Sequence, residues 1–255
     1  MVRLKALLFC FLTGTIISCQ NPGNHKSIIP TRENANTPSQ FHLIIRDKVL
    51  TATDQQALTP DQIIQNLKQG NQHYISNKLT TKNNTAMIHQ ASQGQYPEAF
   101  VLSCIDSRVP VEEVFDSGIG DLFVGRIAGN IIDEDMLGSM EYGCKIAGAK
   151  LIVVLGHESC GAVKAAIEKE KLGNITAMLA KIKPALDQSQ NIPGEHTIEN
   201  HEYVEAVAKN NVANTIKSIE NKSPVLKEMI DKGEIKIVGA YYRINTGEVV
   251  FLSNQ

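Results

Sequence analysis

From Thr59 onward the apolar positions switch between two periods, and each switch marks an element. Thr59-Pro60-Asp61 supplies an N-cap with proline at the first helical position, and Ile63, Ile64, Leu67, Tyr74 and Ile75 follow as one apolar stripe, which predicts an amphipathic helix. A second, shorter helix is expected around Thr85 to Ser92. Short continuous apolar runs then recur near 99–104, 121–125, 151–155 and 235–241, the signature of strands buried on both faces. Helical patterns near 111–115, 135–148 and 160–170 lie between them. Strands alternating with helices predict an α/β fold with a mainly parallel central sheet flanked by helices, preceded by an N-terminal helical arm. The helical stretch 174–232 is broken at Pro184, Pro193-Gly194 and Pro224, so it divides into several helices. Asn245-Thr246-Gly247 then turns the chain into a last strand, Val249 to Leu252, antiparallel to its predecessor.

The first 58 residues break this pattern. Val2-Arg3-Leu4-Lys5 is a basic start and Ala6 to Ile17 a short apolar run, too short for a membrane span, so 1–19 reads as an export signal. Ile16-Ile17-Ser18-Cys19 resembles a bacterial lipobox, which implies lipidation of Cys19 and a protein anchored by lipid alone at the periplasmic face of a membrane; an ordinary cleaved signal or a buried apolar segment is the alternative. Gln20 in the next position favours the outer membrane. Residues 20–58, rich in Asn, Ser, Thr and Pro, read as a flexible tether, with a patch from Phe41 to Ile45 that packs on the domain or pairs as an edge strand. The folded domain is expected over 59–255, about two hundred residues and therefore one core. A net charge of −2 without a basic cluster gives no footing for nucleic acid as a partner.

Two stretches carry candidate chemistry. Ser103-Cys104-Ile105-Asp106-Ser107-Arg108 closes one apolar run, and Gly156-His157-Glu158-Ser159-Cys160-Gly161 closes another. Both fall where a buried strand ends, the side of an open α/β sheet on which ligands gather. Two thiolates and an imidazole suit zinc, and three protein ligands leave a position for water. Of the five cysteines, Cys10 leaves with the signal, Cys19 belongs to the lipobox, and Cys144 reads as a small core residue. A disulfide between Cys104 and Cys160 is the rival arrangement in an exported protein.

Cys104-x-Asp106-x-Arg108 followed by His157-x-x-Cys160 resembles the β-class carbonic anhydrases. Gly94-Gln95-Tyr96-Pro97, Arg126-Ile127-Ala128-Gly129-Asn130, Gly239-Ala240-Tyr241 and Thr246-Gly247 are similar to that family as well, so the likeness runs from about Thr59 to Leu252. The resemblance implies one zinc per chain on Cys104, His157 and Cys160, and reversible hydration of carbon dioxide to bicarbonate by hydroxide generated at the metal. It also implies that Arg108 holds Asp106 as a catalytic pair, that Asp106 becomes a fourth ligand in a closed state, and that Gln95 contacts substrate from across a dimer interface. A homodimer or dimer of dimers follows, with the N-terminal helix reaching onto the second subunit. Regulation by a tryptophan-lined bicarbonate pocket has no footing, since the chain contains no Trp.

Two rival functions stay open on the same residues. One is hydrolysis of carbonyl sulfide or carbon disulfide with the same ligands. The other is a non-catalytic zinc or thiol-redox protein. His25, His42, His73, His89, His196 and His201 lack ligand spacing and read as surface groups, and Ser107 has no base to make it a nucleophile.

Overall fold

The computed structural model describes residues 45–253, so the expected signal segment 1–19 with Cys19, and 20–44 of the expected tether, lie outside the described residues. The described part of that tether belongs to the fold, which corrects its expected boundary at 58. β1 (Ile45–Arg46) pairs in parallel with β2 (Thr81–Lys82); of the patch expected over Phe41 to Ile45 only Ile45 is among the described residues. Arg46 grips Asp121 on both carboxylate oxygens, at 2.6 and 2.7 Å. α1 (Ala52–Ala57) starts from a capping box between Thr51 and Asp54. Its Gln55 is buried and donates from Nε2 to the carbonyls of Pro97 and Ala147, both at 2.8 Å. A polar composition reads as a linker, but here the polar groups are spent satisfying buried backbone.

α2 (Pro60–Ile75) begins as its sequence dictates, with Thr59 and Gln62 forming a second capping box around Pro60, and α3 (Asn84–Ala91) follows β2. Then come β3 (Ala99–Ser103), α4 (Val111–Val114), β4 (Leu122–Arg126), α5 (Glu134–Glu141), β5 (Leu151–His157) and α6 (Gly161–Ile167). The long helical stretch divides into α7 (Gly173–Ala180), α8 (Lys183–Gln188), α9 (His201–Lys222) and α10 (Pro224–Asp231). β6 (Lys236–Tyr242) and β7 (Val249–Phe251) close the chain. The helix expected over 135–148 loosens into a π-helical turn at Tyr142–Ile146, where Gly143 packs closely against Phe100 and Phe123.

The main sheet has the order β4-β3-β5-β6-β7, parallel except for β7. Alternate residues of β3 and β5 face opposite cores. Phe100, Leu102, Ile152 and Val154 join Val212 and Ile219 of α9, whereas Ala99, Val101, Val153 and Leu155 join Ile63 and Leu67 of α2. Gly156 lets α9 approach, since a Cβ there would stand 2.6 Å from Val212. After β3 the chain leaves toward β4 and after β5 toward β6, so these neighbouring strands part in opposite directions. That divergence opens a crevice at their carboxyl ends.

Candidate metal centre

Cys104 is the first residue past β3, His157 the last of β5, and Cys160 the N-cap of α6, so the parallel pairing of β3 with β5 brings both motifs to one crevice. All three side chains are buried, and their ligand atoms lie within 4.8 Å of one another. The two sulfurs are 4.0 Å apart, close to the about 3.8 Å that tetrahedral zinc with bonds of about 2.3 Å requires. Neither is in a disulfide, so the rival pairing is not formed. Cys144 is also free and buried, and burial alone pushes its thiol up to about 12, in keeping with a small core residue.

His157 is set up as a ligand. Its Nδ1 lies 2.9 Å from the carbonyl oxygen of Glu158, an acceptor only, so Nδ1 carries the proton and Nε2 keeps its lone pair. That Nε2 is buried and has no hydrogen-bond partner among the described residues, a cost that a metal ion removes. The donor set and this orphaned nitrogen fit zinc.

The thiols depart from ordinary behaviour in opposite directions. The hydrogen bond shared with Cys160 leads in drawing the Cys104 thiol down, against the burial that opposes it, with help from the N–H of Gly129, 3.3 Å from its sulfur. The same bond pushes Cys160 up, although the N–H groups of Val163 and Ala162 face its sulfur and favour the thiolate.

Asp106 and Arg108 form the expected pair. Arg108 Nε and backbone N–H each donate to Asp106 Oδ1 at 2.9 Å, and Nη2 donates to Oδ2 at 2.7 Å. These bonds hold Asp106 down at about 2. Nη2 also reaches the carbonyl of Ser159, at 3.3 Å, a residue in the left-handed region at φ 50°. The carboxylate stays beside the ligands, with Oδ2 3.9 Å from His157 Nε2. Gln95 is exposed and precedes β3, at the end of that strand opposite Cys104, so a single chain does not bring it to the crevice.

Sequence reasoning assigned no role to Arg126, whose guanidinium donates to the carbonyls of Cys104 at 2.9 Å and Asp106 at 2.5 Å and so fixes the loop that carries both. Its place in the Arg-Ile-Ala-Gly-Asn stretch was the available signal. Two histidines read as surface groups have internal partners. His73 Nδ1 lies 2.9 Å from Asp116, and His196 stacks on the buried Tyr203 with ring centres 4.5 Å apart.

Comparison with known proteins agrees with this geometry. Residues 99–249 match the family model described as carbonic anhydrase. Carbonic anhydrase 2 of Mycobacterium tuberculosis is 32% identical over 191 residues, covering 72% of this chain and 88% of the relative. The carbonic anhydrase of Mycolicibacterium smegmatis is 33% identical over 194 residues, covering 74% and 91%. Among solved structures, the β-carbonic anhydrase CcaA has a TM-score of 0.58 at 27% identity, over 76% of this chain and 92% of that one. One of two tetrameric β-carbonic anhydrases of Sordaria macrospora has a TM-score of 0.60 at 24% identity, over 75% and 98%, a likeness of fold.

Proposed function

The chain belongs to the β class of the carbonic anhydrases, a zinc-dependent enzyme of reversible carbon dioxide hydration, and on that footing we propose how its residues divide the work. Cys104, His157 and Cys160 hold the zinc, which when bound supplies Lewis acidity and lowers the pKa of water at its open position. The observation that carries this reading is His157, buried with its Nε2 lone pair turned toward two sulfurs. Arg108 holds Asp106 back from the metal. The ionised Asp106 then accepts a hydrogen bond from the attacking oxygen and orients it toward carbon dioxide. Arg126 keeps the backbone of both residues in place. The clamped carboxylate makes the open site the resting state, and the closed state with Asp106 as fourth ligand requires the Arg108 bonds to break.

The assembly is a homodimer, alone or paired again. Among the described residues β4 has no strand on its outer side; it carries Leu122, Phe123 and Val124, and next to it Tyr142 is 52% exposed with its ring 6.4 Å from that of Phe123. An apolar edge of this kind is an association surface. A two-fold axis perpendicular to β4 sets the two edge strands antiparallel, which carries the Gln95 end of one chain toward the Cys104 end of the other, and Gln95 then contacts substrate there.

The enzyme works outside the cytoplasm on a lipid anchor at Cys19, the bacterial outer membrane being the expected location. The lipobox-like Ile16 to Cys19 supports this. Stopped-flow hydration with metal analysis tests the chemistry. We expect one zinc per chain and rapid turnover of carbon dioxide, whereas a loaded protein that hydrolyses carbonyl sulfide and leaves carbon dioxide untouched would move it to the rival activity. Fractionation of wild-type and Cys19→Ser cells tests the anchor, and a wild-type protein wholly soluble in the exported fraction would remove it.

A further inference from the structure

We propose that Asn211 is a positioning residue for the metal thiolate of Cys104, acting through Gly129. Asn211 sits on the inner face of α9, 2% exposed, among Val204, Val207, Ala208, Val212 and Ile219. An amide in that apolar row costs free energy unless it is used. Its Nδ2 donates to the carbonyl of Gly129 at 2.7 Å, across 82 residues of sequence. On the other side of the Gly129 Cα, the Gly129 N–H donates to Cys104 Sγ at 3.3 Å.

Gly129 lies in the left-handed region at φ 72°, and a Cβ there would stand 2.8 Å from Ile182. Only glycine fits, yet glycine is the residue whose backbone least determines its own direction. Something else must hold the two peptide planes that meet at this Cα. The bond from Asn211 fixes one plane, and the Asn130 N–H, bonded to Ile127 O at 2.9 Å, closes the turn. α9 therefore sets the aim of the N–H at the sulfur. A donor aimed at a thiolate draws charge from it, which stabilises the anion and tunes the metal it binds.

The proposal rests on Cys104 as a ligand, and its test separates the two ideas. In protein loaded with cobalt, the sulfur-to-metal charge-transfer band reports electron density on the thiolates without reference to turnover. Asn211→Leu, and Asn211→Ala as the less disruptive variant, are expected to move that band to longer wavelength. Both should also lose metal to a chelator about tenfold faster, the usual scale for a partner of a ligand. Ile219→Val, buried on the same helix two turns on, should leave band and release rate unchanged. Bands and rates at wild-type values in folded Asn211 variants, or equal shifts in Ile219→Val, would overturn the proposal. No charge-transfer band in any form would overturn the metal centre with it. In wild-type protein loaded with cadmium-113, a scalar coupling between the metal and the Gly129 amide proton is expected, and its absence overturns the hydrogen bond without recourse to a variant.

Discussion

Arg108 meets the carboxylate of Asp106 edge to edge, with Nε 2.9 Å from Oδ1 and Nη2 2.7 Å from Oδ2, while Oδ2 remains 3.9 Å from His157 Nε2. A carboxylate so near a metal centre is either its partner or its competitor, and the guanidinium decides which. The pair lies at a partly open mouth, with the Arg108 side chain 50% exposed and that of Asp106 14%.

Arg108→Ala is therefore expected to keep its zinc and lose at least about a hundredfold in hydration rate at neutral pH, as the freed carboxylate turns onto the metal. Raising the pH should restore part of the rate, because hydroxide then competes for the same position. Arg108→Lys keeps a charge without the fork and should recover only partially. A stopped-flow pH series with metal analysis checks this, and an alanine variant at wild-type speed would reduce the contact to an ordinary ion pair.

Cys160→Ser should lose most bound zinc and nearly all activity, since an alcohol neither ionises nor matches the softness of a thiolate. Metal content after dialysis reads it directly. Full retention of zinc at normal turnover would take Cys160 out of the ligand set.

Glu98 gives a pH dependence of stability unrelated to turnover. It is 8% exposed, and burial raises it from 4.5 to about 7, against the single hydrogen bond it accepts from Asn66 at 3.1 Å. The folded chain thus holds a proton that the unfolded chain gives up from pH 4.5 upward. Stability is full below that pH and falls as the pH rises through 7, by about 3 kcal/mol in all. Glu98→Gln should match the wild type near pH 4 and exceed it by about 1–3 kcal/mol at pH 8. Denaturant midpoints at the two values, at one protein concentration, test it, and parallel shifts in both proteins would contradict it.

Asn71 should be among the costliest polar positions to change. Buried on α2, it donates to the carbonyls of Val114 at 3.2 Å and Gly247 at 2.8 Å, and accepts from the N–H of Val249 at 2.8 Å. Asn71→Ala strands three backbone groups and should cost about 3 kcal/mol or more. A loss below about 1 kcal/mol in urea unfolding would mean that water replaces the side chain.

Much of this protein is determined by neighbours along the chain. Each strand of the main sheet is a run of β-branched and other apolar residues bounded by turn formers, and Thr59-Pro60 starts α2 through contacts within three residues, so both are readable locally. The metal ligands are legible for a related reason, because thiol and imidazole sit at the ends of two such runs and parallel strands end on the same side. What the sequence alone left undetermined depends on groups far apart in it. Gln55 reaches across 92 residues to Ala147, which turned an apparent tether into structure, and Asn71 and Asn211 reach across 176 and 82. A polar side chain carries no local mark of which distant carbonyl it will satisfy. Only the packing of α1, α2 and α9 onto the sheet decided that, since burial is what makes an unpaired backbone group costly enough to select its partner.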